Sequence, residues 1–560
     1  PTAAEMDHEF DGDSRVETTR LSAEQVENLA LLGKVWGFVK YHHPRVTGAE
    51  LNWDYELFRV LPSMLRAEGV AEAAWALSRW LEHVGEPVAC KECAGFPDST
   101  HLQPPIEWIR DRARLGEDLS GRLERIHANR HAHGEQYYVV FGPSAANPDF
   151  SNEASYPEMT LPDAGYRLLA LFRFWNMIEY WFPYRGLIPE DWGGVLTEFV
   201  PRLMQAATED EYRLAMIELV ARVHDGHANL WSAIGTRPPR GECQVPVAVR
   251  SVEGRFTVGA YADSLLGAAS GLKIGDVIVT LDGLPVDSLA AAWAPYYGAS
   301  NDAARRRDIA RSLTKGDSGA CRLTIERSGK RLEVTATRDS INRMDPRAGL
   351  THDLPGETFR LLSKDIAYLK IGSAAAKDAA AYFEKAAVTR CLVLDIRNYP
   401  REYLPFALGQ HLVEQPTPFV RFTRGDPTNP GAFVWLNSVS IQPEAPHYTG
   451  KVVILVDEVS QSAAEYVAMA MRAAPGAIVV GSTTAGADGN FSAIRLPGGL
   501  RTMISGIGIF YPDKTPTQQV GIVPDLVVHP TVKGIREGRD EVLEAALKKA
   551  LGREVLIPIR

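Results

Sequence analysis

Apolar residues recur at helical spacing twice in the first half of the chain, at Leu29, Leu32, Trp36 and Val39 and again at Leu168, Leu171, Trp175 and Ile178. Both stripes predict core-facing helices. A shift of 139 positions superimposes Trp36 on Trp175, Tyr41 on Tyr180, Pro44 on Pro183, Trp53 on Trp192 and Pro62 on Pro201 without a gap, which is the mark of a duplicated unit. Ser22 and Gln25 form a capping-box pattern at the start of the first copy, and Pro44 and Pro183 are expected to end the two helices. The copies differ at their far ends: the second runs on to Asp225-Gly226-His227 where the first has Glu86-Pro87-Val88. A lone histidine is commonly structural, but a glycine-histidine pair present at one end only makes His227 a candidate for chemistry.

Between about 241 and 339 the pattern changes to short alternating runs with glycine turns. Residues 271–286 give a turn, a strand, an Asp-Gly hairpin signal and a second strand. From about Leu350 the texture is α/β, with apolar strands expected at 366–371, 391–396 and 452–456 between helical stretches and a closing amphipathic helix at 542–551. At 452–474 a β-branched run stops at Asp457, a polar connection holds Ser460 and Ser462, and strong helix formers follow. Ser462 thus falls where a buried strand ends and a helix begins. The plain reading is an N-cap; the functional one is a nucleophile beside unpaired helical N–H groups that favour negative charge.

With 560 residues the chain is too long for one core, and three or four domains are expected. Apolar content of 45% with 23% charged residues describes an ordinary globular protein. The net charge of −10 argues against a nucleic-acid or anionic-membrane partner, and no apolar run approaches the ~20 residues of a membrane span. The chain begins without methionine, as if a leader had been removed, and export to a periplasmic or extracellular location is expected over a cytoplasmic one. Cys243, Cys321 and Cys391 read as small buried hydrophobes. Cys90 and Cys93, with His83 and His101, form a candidate zinc ligand set; a local disulfide or two plain thiols are the alternatives.

The segment Gly271-Leu272-Lys273-Ile274-Gly275-Asp276-Val277-Ile278, followed by Asp282-Gly283 and Val286, resembles the PDZ domain. That resemblance implies a β-rich module that adds a peptide as an extra strand, at Val258, Gly259, Ala260 and Tyr261, and often holds its terminal carboxylate.

Taken with Asp225-Gly226-His227, the run Asp395-Ile396-Arg397-Asn398-Tyr399-Pro400, Ser460-Gln461-Ser462-Ala463-Ala464-Glu465, residues 479–486 and Gly521-Ile522-Val523-Pro524-Asp525, the chain resembles the serine peptidase family of C-terminal (tail-specific) processing proteases and tricorn core proteases. The ordered set spans roughly 161–551. The implied architecture is multidomain α/β: a tail at 1–18, a first helical repeat with its connection at 19–160, a second at 161–238, a PDZ-like domain at 239–340 and an α/β peptidase core of the ClpP/crotonase type at 341–560. The processing branch pairs its serine with a lysine, and here Ala487 falls at that place. The tricorn-like branch uses a histidine before the PDZ domain, which His227 matches.

The resemblance implies a serine endopeptidase acting on peptides or unfolded protein segments. Ser462 would attack the carbonyl and His227 would serve as general base. The N–H of Ala463 and an amide from the loop holding Arg401 and Glu402 would bind the oxyanion, and Glu465 is expected to be structural. Two departures stand out. The glutamate that orients the histidine in the tricorn-like branch is Gln518 here, so Gln518→Glu is expected to raise turnover, and the oxyanion loop carries Tyr399, Arg401 and Glu402 in place of the family's Asn and Gly-Gly. A weakened relative that binds peptides or small apolar ligands is the alternative. No cofactor is implied, and related enzymes often form homo-oligomers.

Overall fold

The computed structural model describes residues 2–18, 20–91, 93, 95–96, 99–131, 136–142 and 147–555. Three helices make the first unit, α1 (Ala23–His42), α2 (Trp53–Arg66) and α3 (Val70–Val84), and three make the second, α4 (Ala164–Trp181), α5 (Trp192–Met204) and α6 (Glu209–Ala221). Ser22 and Gln25 cap α1 reciprocally, and α1 and α4 stop just before Pro44 and Pro183. The repeated tryptophans are locks between helices. Trp36 Nε1 donates to Trp53 O and Trp53 Nε1 to Trp36 O, both at 2.9 Å; in the second copy Trp175 Nε1 donates to Trp192 O at 2.7 Å and Trp192 Nε1 to Trp175 O at 3.2 Å. Each indole fills core volume and satisfies its one donor on the partner's backbone.

The two units also pack on each other at equivalent positions. A Cβ on Gly37 would lie 1.8 Å from the side chain of Asn176, whose Nδ2 donates to Gly33 O at 2.9 Å, and the rings of Tyr41 and Tyr180 meet edge to face at 5.6 Å. Beside this seam Lys40, Asp54, Glu153 and Arg173 form a buried, balanced quartet, with Lys40 Nζ 2.8 Å from Glu153 Oε1 and Arg173 Nη2 2.6 Å from Asp54 Oδ2. Buried charges are tolerated when they are paired this way.

The middle of the chain is a seven-stranded antiparallel sheet containing β1 (Val247–Val252), β2 (Arg255–Tyr261), β3 (Val277–Leu281), β4 (Gly319–Arg327) and β5 (Lys330–Ser340), with α7 (Asp302–Ser312) packed against β1. The Asp282-Gly283 signal makes a tight turn, both residues having positive φ (49° and 85°), as a two-residue hairpin requires. The expected peptide-pairing residues need correction. Val258, Gly259, Ala260 and Tyr261 lie on β2, which is covered by β1 through Val249↔Val258, Ala248↔Ala260 and Val247↔Tyr261. On its other side, Val258 N donates to Asp276 O and Val258 O accepts from Gly275 N. The outer edge on this side of the sheet belongs to β1.

The C-terminal part is built on a six-stranded sheet of order β6-β7-β8-β10-β11-β15, comprising β6 (Phe359–Ser363), β7 (Ile366–Lys370), β8 (Cys391–Asp395), β10 (Lys451–Val456), β11 (Ile478–Gly481) and β15 (Leu526–Val527). All its pairings but β6–β7 are parallel. One face, with Leu392, Leu394, Ile454 and Val456, packs on α8 (Ala463–Arg472); the other, with Val393, Val453 and Leu455, packs on α9 (Glu541–Leu551). Burial on both faces is why these strands read as unbroken apolar runs. Arg397, from the Asp395–Pro400 motif, bridges Asp395 and Asp540 at 2.6 and 2.7 Å, and Asp540 caps α9. Further strands in this part include β9 (Thr417–Gly425), β12 (Phe491–Leu496), β13 (Leu500–Ser505) and β14 (Gly508–Phe510).

The zinc candidate is also corrected. Cys90 and Cys93 are joined in a disulfide, so neither offers a thiolate to a metal, and His101 packs against the rings of Trp435 and Phe510 at 4.7 and 4.9 Å. No helix among the described residues is long and apolar enough to cross a membrane.

Candidate active site

β10 ends at Val456 and α8 begins at Ala463, and the turn between them is held from several sides. Ser460 Oγ donates to Ile396 O at 2.8 Å. Ser462 itself has φ 54° and ψ −114°, a left-handed conformation that a non-glycine residue adopts only when its surroundings impose it. Glu465 is the brace. Its Oε2 accepts the N–H groups of Ser462 and Ala487, each at 3.0 Å, and its Oε1 accepts the Thr484 hydroxyl at 2.5 Å and the Gly486 N–H at 2.7 Å. The structural role expected of Glu465 is what this geometry shows: it ties the serine turn to the following glycine loop.

The second helical unit delivers the histidine. After α6 the chain turns through Asp225-Gly226-His227, and Gly226 passes so close to Ala487 that an added Cβ would lie 2.8 Å from the Ala487 Cβ. His227 Nε2 then stands 3.1 Å from Ser462 Oγ, a hydrogen bond between side chains 235 residues apart. The other ring nitrogen, Nδ1, lies 3.0 Å from Ser505 Oγ and 3.4 Å from Asp225 Oδ1. Ser505 donates its hydroxyl to Asp225 Oδ1 at 3.1 Å and its N–H to Asp225 Oδ2 at 2.6 Å, and the His227 N–H reaches Asp225 Oδ1 at 3.1 Å. Ser505 ends β13, whose hairpin with β12 is pinned to the second helical unit by Tyr212 Oη on Pro497 O at 2.8 Å and Arg173 Nη1 on Arg495 O at 3.0 Å.

Burial works against the charged form of His227, but the hydrogen bond to Asp225, its charge and that of Glu465 together raise the imidazole above its ordinary pKa. Burial likewise disfavours the Asp225 carboxylate, and the hydrogen bonds and charge it meets from His227 and Ser505 hold it below the usual range. The pair is therefore poised with Asp225 ionised and the imidazole readily protonated.

Gln518 does not orient His227. It is fully buried, and its Nε2 lies 3.4 Å from both Asp225 Oδ1 and Ser300 Oγ, so it stands behind the carboxylate and not beside the ring. The partner of the histidine is Asp225, two residues earlier in the same turn, with Ser505 between them. Asp225 belongs to the same Asp225-Gly226-His227 motif as the histidine, whereas nothing local in the sequence marks Ser505. Of the expected oxyanion groups, Ala463 and Glu402 line one cavity with Ser462 and Tyr399, the Glu402 carboxylate accepting the Ala376 N–H at 2.8 Å, and Arg401 is exposed outside that lining.

The turn is also gripped from the antiparallel sheet. Arg307, on α7, donates to Glu458 O at 2.7 Å and Gln461 Oε1 at 2.9 Å. Arg250, on β1, reaches Glu458 Oε1 and Asp457 Oδ2, both at 3.1 Å. His352 Nδ1 meets Asp457 Oδ2 at 2.6 Å.

Residues 365–528 match peptidase family S41. No curated protein matches the chain. Among solved structures it is similar to mature CPAF (15% identity, 70% of this chain and 99% of that one, TM-score 0.53) and to mature CPAF complexed with lactacystin (14% identity, 67% and 95%, TM-score 0.51). The photosystem II D1 C-terminal processing protease is a more distant neighbour (17% identity, 69% and 97%, TM-score 0.38). At these identities the likeness is one of fold. The stretch that matches peptidase family S41 runs from the start of the parallel sheet through the Ser462 turn to β15, so the likeness covers the part of the chain that holds the candidate nucleophile.

Proposed function

We propose that this serine peptidase is an endopeptidase for peptides or unfolded protein segments and that it works by acyl transfer. Ser462 Oγ attacks the carbonyl carbon and passes its proton to His227 Nε2. The C–N bond then breaks as the imidazolium returns that proton to the leaving amine, and water repeats the sequence on the ester. Asp225, directly and through Ser505, keeps the second nitrogen protonated and stabilises the charge that forms on the ring. The N–H of Ala463, first in its helix and without an intrahelical acceptor, is the group this reading assigns as oxyanion donor.

The observation that carries this reading is the contact of 3.1 Å between His227 and Ser462, made by a serine in a strained turn whose base has its own ionised partner. The test is a fluorophosphonate probe with unfolded protein substrates, applied to the wild type and to Ser462→Ala. Labelling and cleavage are expected in the wild type alone; their persistence in the variant would remove Ser462, and inertness of both would favour a binding protein.

Residues 239–340 are proposed to serve as a PDZ-like peptide-binding module, with β1 as its pairing edge. An oxidising, exported location is proposed as well; the Cys90–Cys93 disulfide supports it.

A further inference from the structure

The connection that leads into α7, Gly298-Ala299-Ser300-Asn301, belongs to the antiparallel-sheet part of the chain and passes between the two halves of the candidate site. On one side it holds the histidine turn. Ser300 Oγ accepts the Gly226 N–H at 2.8 Å and Gly298 O accepts from Asn229 Nδ2 at 3.2 Å, with the backbones so close that an added Cβ on Gly298 would lie 2.2 Å from Ala228 O. On the other side it holds the glycine loop. Asn301 Nδ2 donates to Thr484 O at 2.8 Å and to Gln519 O at 3.3 Å, and Ala299 and Ala304 pack on Ala485.

That loop is in turn fixed to the nucleophile. Thr484 and Gly486 donate to Glu465 Oε1 while Ser462 donates to Oε2, and the Ala485 N–H reaches Ser460 O at 2.9 Å. The contact of Gly226 with Ala487 limits how near the two turns can come, but a steric stop does not hold them together. The hydrogen bonds of Ser300 and Asn301 do, from a third part of the chain, alongside those between Ser505 and Asp225.

We infer that Asn301 is a positioning residue of the proposed reaction: through the glycine loop it fixes the separation at which His227 meets Ser462. The inference rests on the peptidase reading of that pair. The residue type fits the task. Asn301 Oδ1 accepts the Ala304 N–H at 3.0 Å and caps α7, which leaves both amide hydrogens for the two carbonyls. Serine and aspartate cap a helix as well as asparagine does, but aspartate has no hydrogen to give, and serine has one on a shorter stem. Capping and bridging are therefore separable by substitution.

The experiment follows the rate of fluorophosphonate labelling at Ser462, which reports the serine–histidine pair without a bound peptide, together with kcat and KM on an unfolded protein substrate. The wild type is compared with Asn301→Ser, Ser300→Ala and the double variant. Asn301→Ser is expected to lower labelling and kcat by about ten- to a hundredfold, the effect of a small misplacement of reacting groups, with KM changed by less than about twofold. Ser300→Ala, which leaves the cap of α7 in place, should do the same by releasing the other side. The double variant should lose little more than either single one, because a bridge cut once is already open. Labelling of Asn301→Ser at the wild-type rate, a loss confined to Tm, or single losses that multiply in the double variant would each overturn the role of Asn301. Should Asn301→Ser fail to fold, Asn301→Asp puts the same question with the cap kept, and wild-type labelling there would overturn it equally. An unlabelled, inert wild type overturns the peptidase reading itself; a labelled, active one whose variants label as fast overturns only the part given to Asn301.

Discussion

Asp225 Oδ1 lies 3.4 Å from His227 Nδ1, within a turn of three residues. His227 and Asp225 therefore travel on one short piece of backbone, and Ser505 closes the arrangement from another part of the chain. Replacement of the carboxylate by an amide should leave the fold intact and lose the charge. Asp225→Asn is expected to lower kcat/KM by about 10³- to 10⁴-fold, by analogy with the same exchange in a serine-protease triad.

The pH profile should report the same pair. Asp225 raises the imidazole above its ordinary value of 6.5, and His227 must be neutral to accept a proton. The acid limb of kcat/KM is therefore expected above that value in the wild type, and at lower pH in Asp225→Asn, where only the charge of Glu465 still opposes burial. The stability contribution of Asp225 is lost as pH falls through its lowered pKa, and that of His227 as pH rises through its raised one. An unmoved limb in the variant would detach Asp225 from the base.

Gln518→Glu reverses sign relative to the expectation from the sequence. A carboxylate at Gln518 would sit where an amide nitrogen now faces Asp225 at 3.4 Å, placing two acids together in a fully buried site. Turnover should fall, by about tenfold or more given the several-kcal/mol cost of an unpaired buried charge. A rise would return Gln518 to the role of orienting group.

The close approach of Gly226 to Ala487 is testable by compensation. Gly226→Ala should displace His227 and abolish labelling of Ser462, because the added methyl would meet the Ala487 Cβ at 2.8 Å. Adding Ala487→Gly removes the obstruction and should restore activity in large part. Failure of the double variant would mean that Gly226 matters for its backbone and not for the contact.

Arg307→Ala removes two hydrogen bonds from the serine turn while touching neither Ser462 nor His227. A fall in kcat larger than the change in KM is expected, with a drop in Tm because Asp308, which pairs with Arg307 at 2.9 Å, loses its nearer counter-ion and keeps only Arg311 at 3.8 Å. Arg307→Lys can restore charge but not the fork that holds two acceptors, so it should rescue Tm better than kcat.

The parts of this chain legible in its sequence are those written in local periodicity. The tryptophan register showed the duplication, since each indole answers a carbonyl 17 residues away in the same unit, and the strand-to-helix change located the Ser462 turn. What failed was sheet order and long-range contact. β1 and β2 alternate alike, and only the three-dimensional sheet shows that β1 covers Val258–Tyr261. Ser505 meets Asp225 across 280 residues, with no spacing to betray it, and Cys90 and Cys93 carry the same letters whether they hold a metal or each other.

The order in which the constellation is spelled out has a consequence for synthesis. Base and nucleophile emerge from the ribosome before Ser505 and the hairpin that carries it, and until that hairpin docks on the second helical unit the imidazole lacks its hydroxyl partner and Asp225 two of its donors. Until then the growing chain holds Ser462 and His227 without the full set of hydrogen bonds that orients the ring.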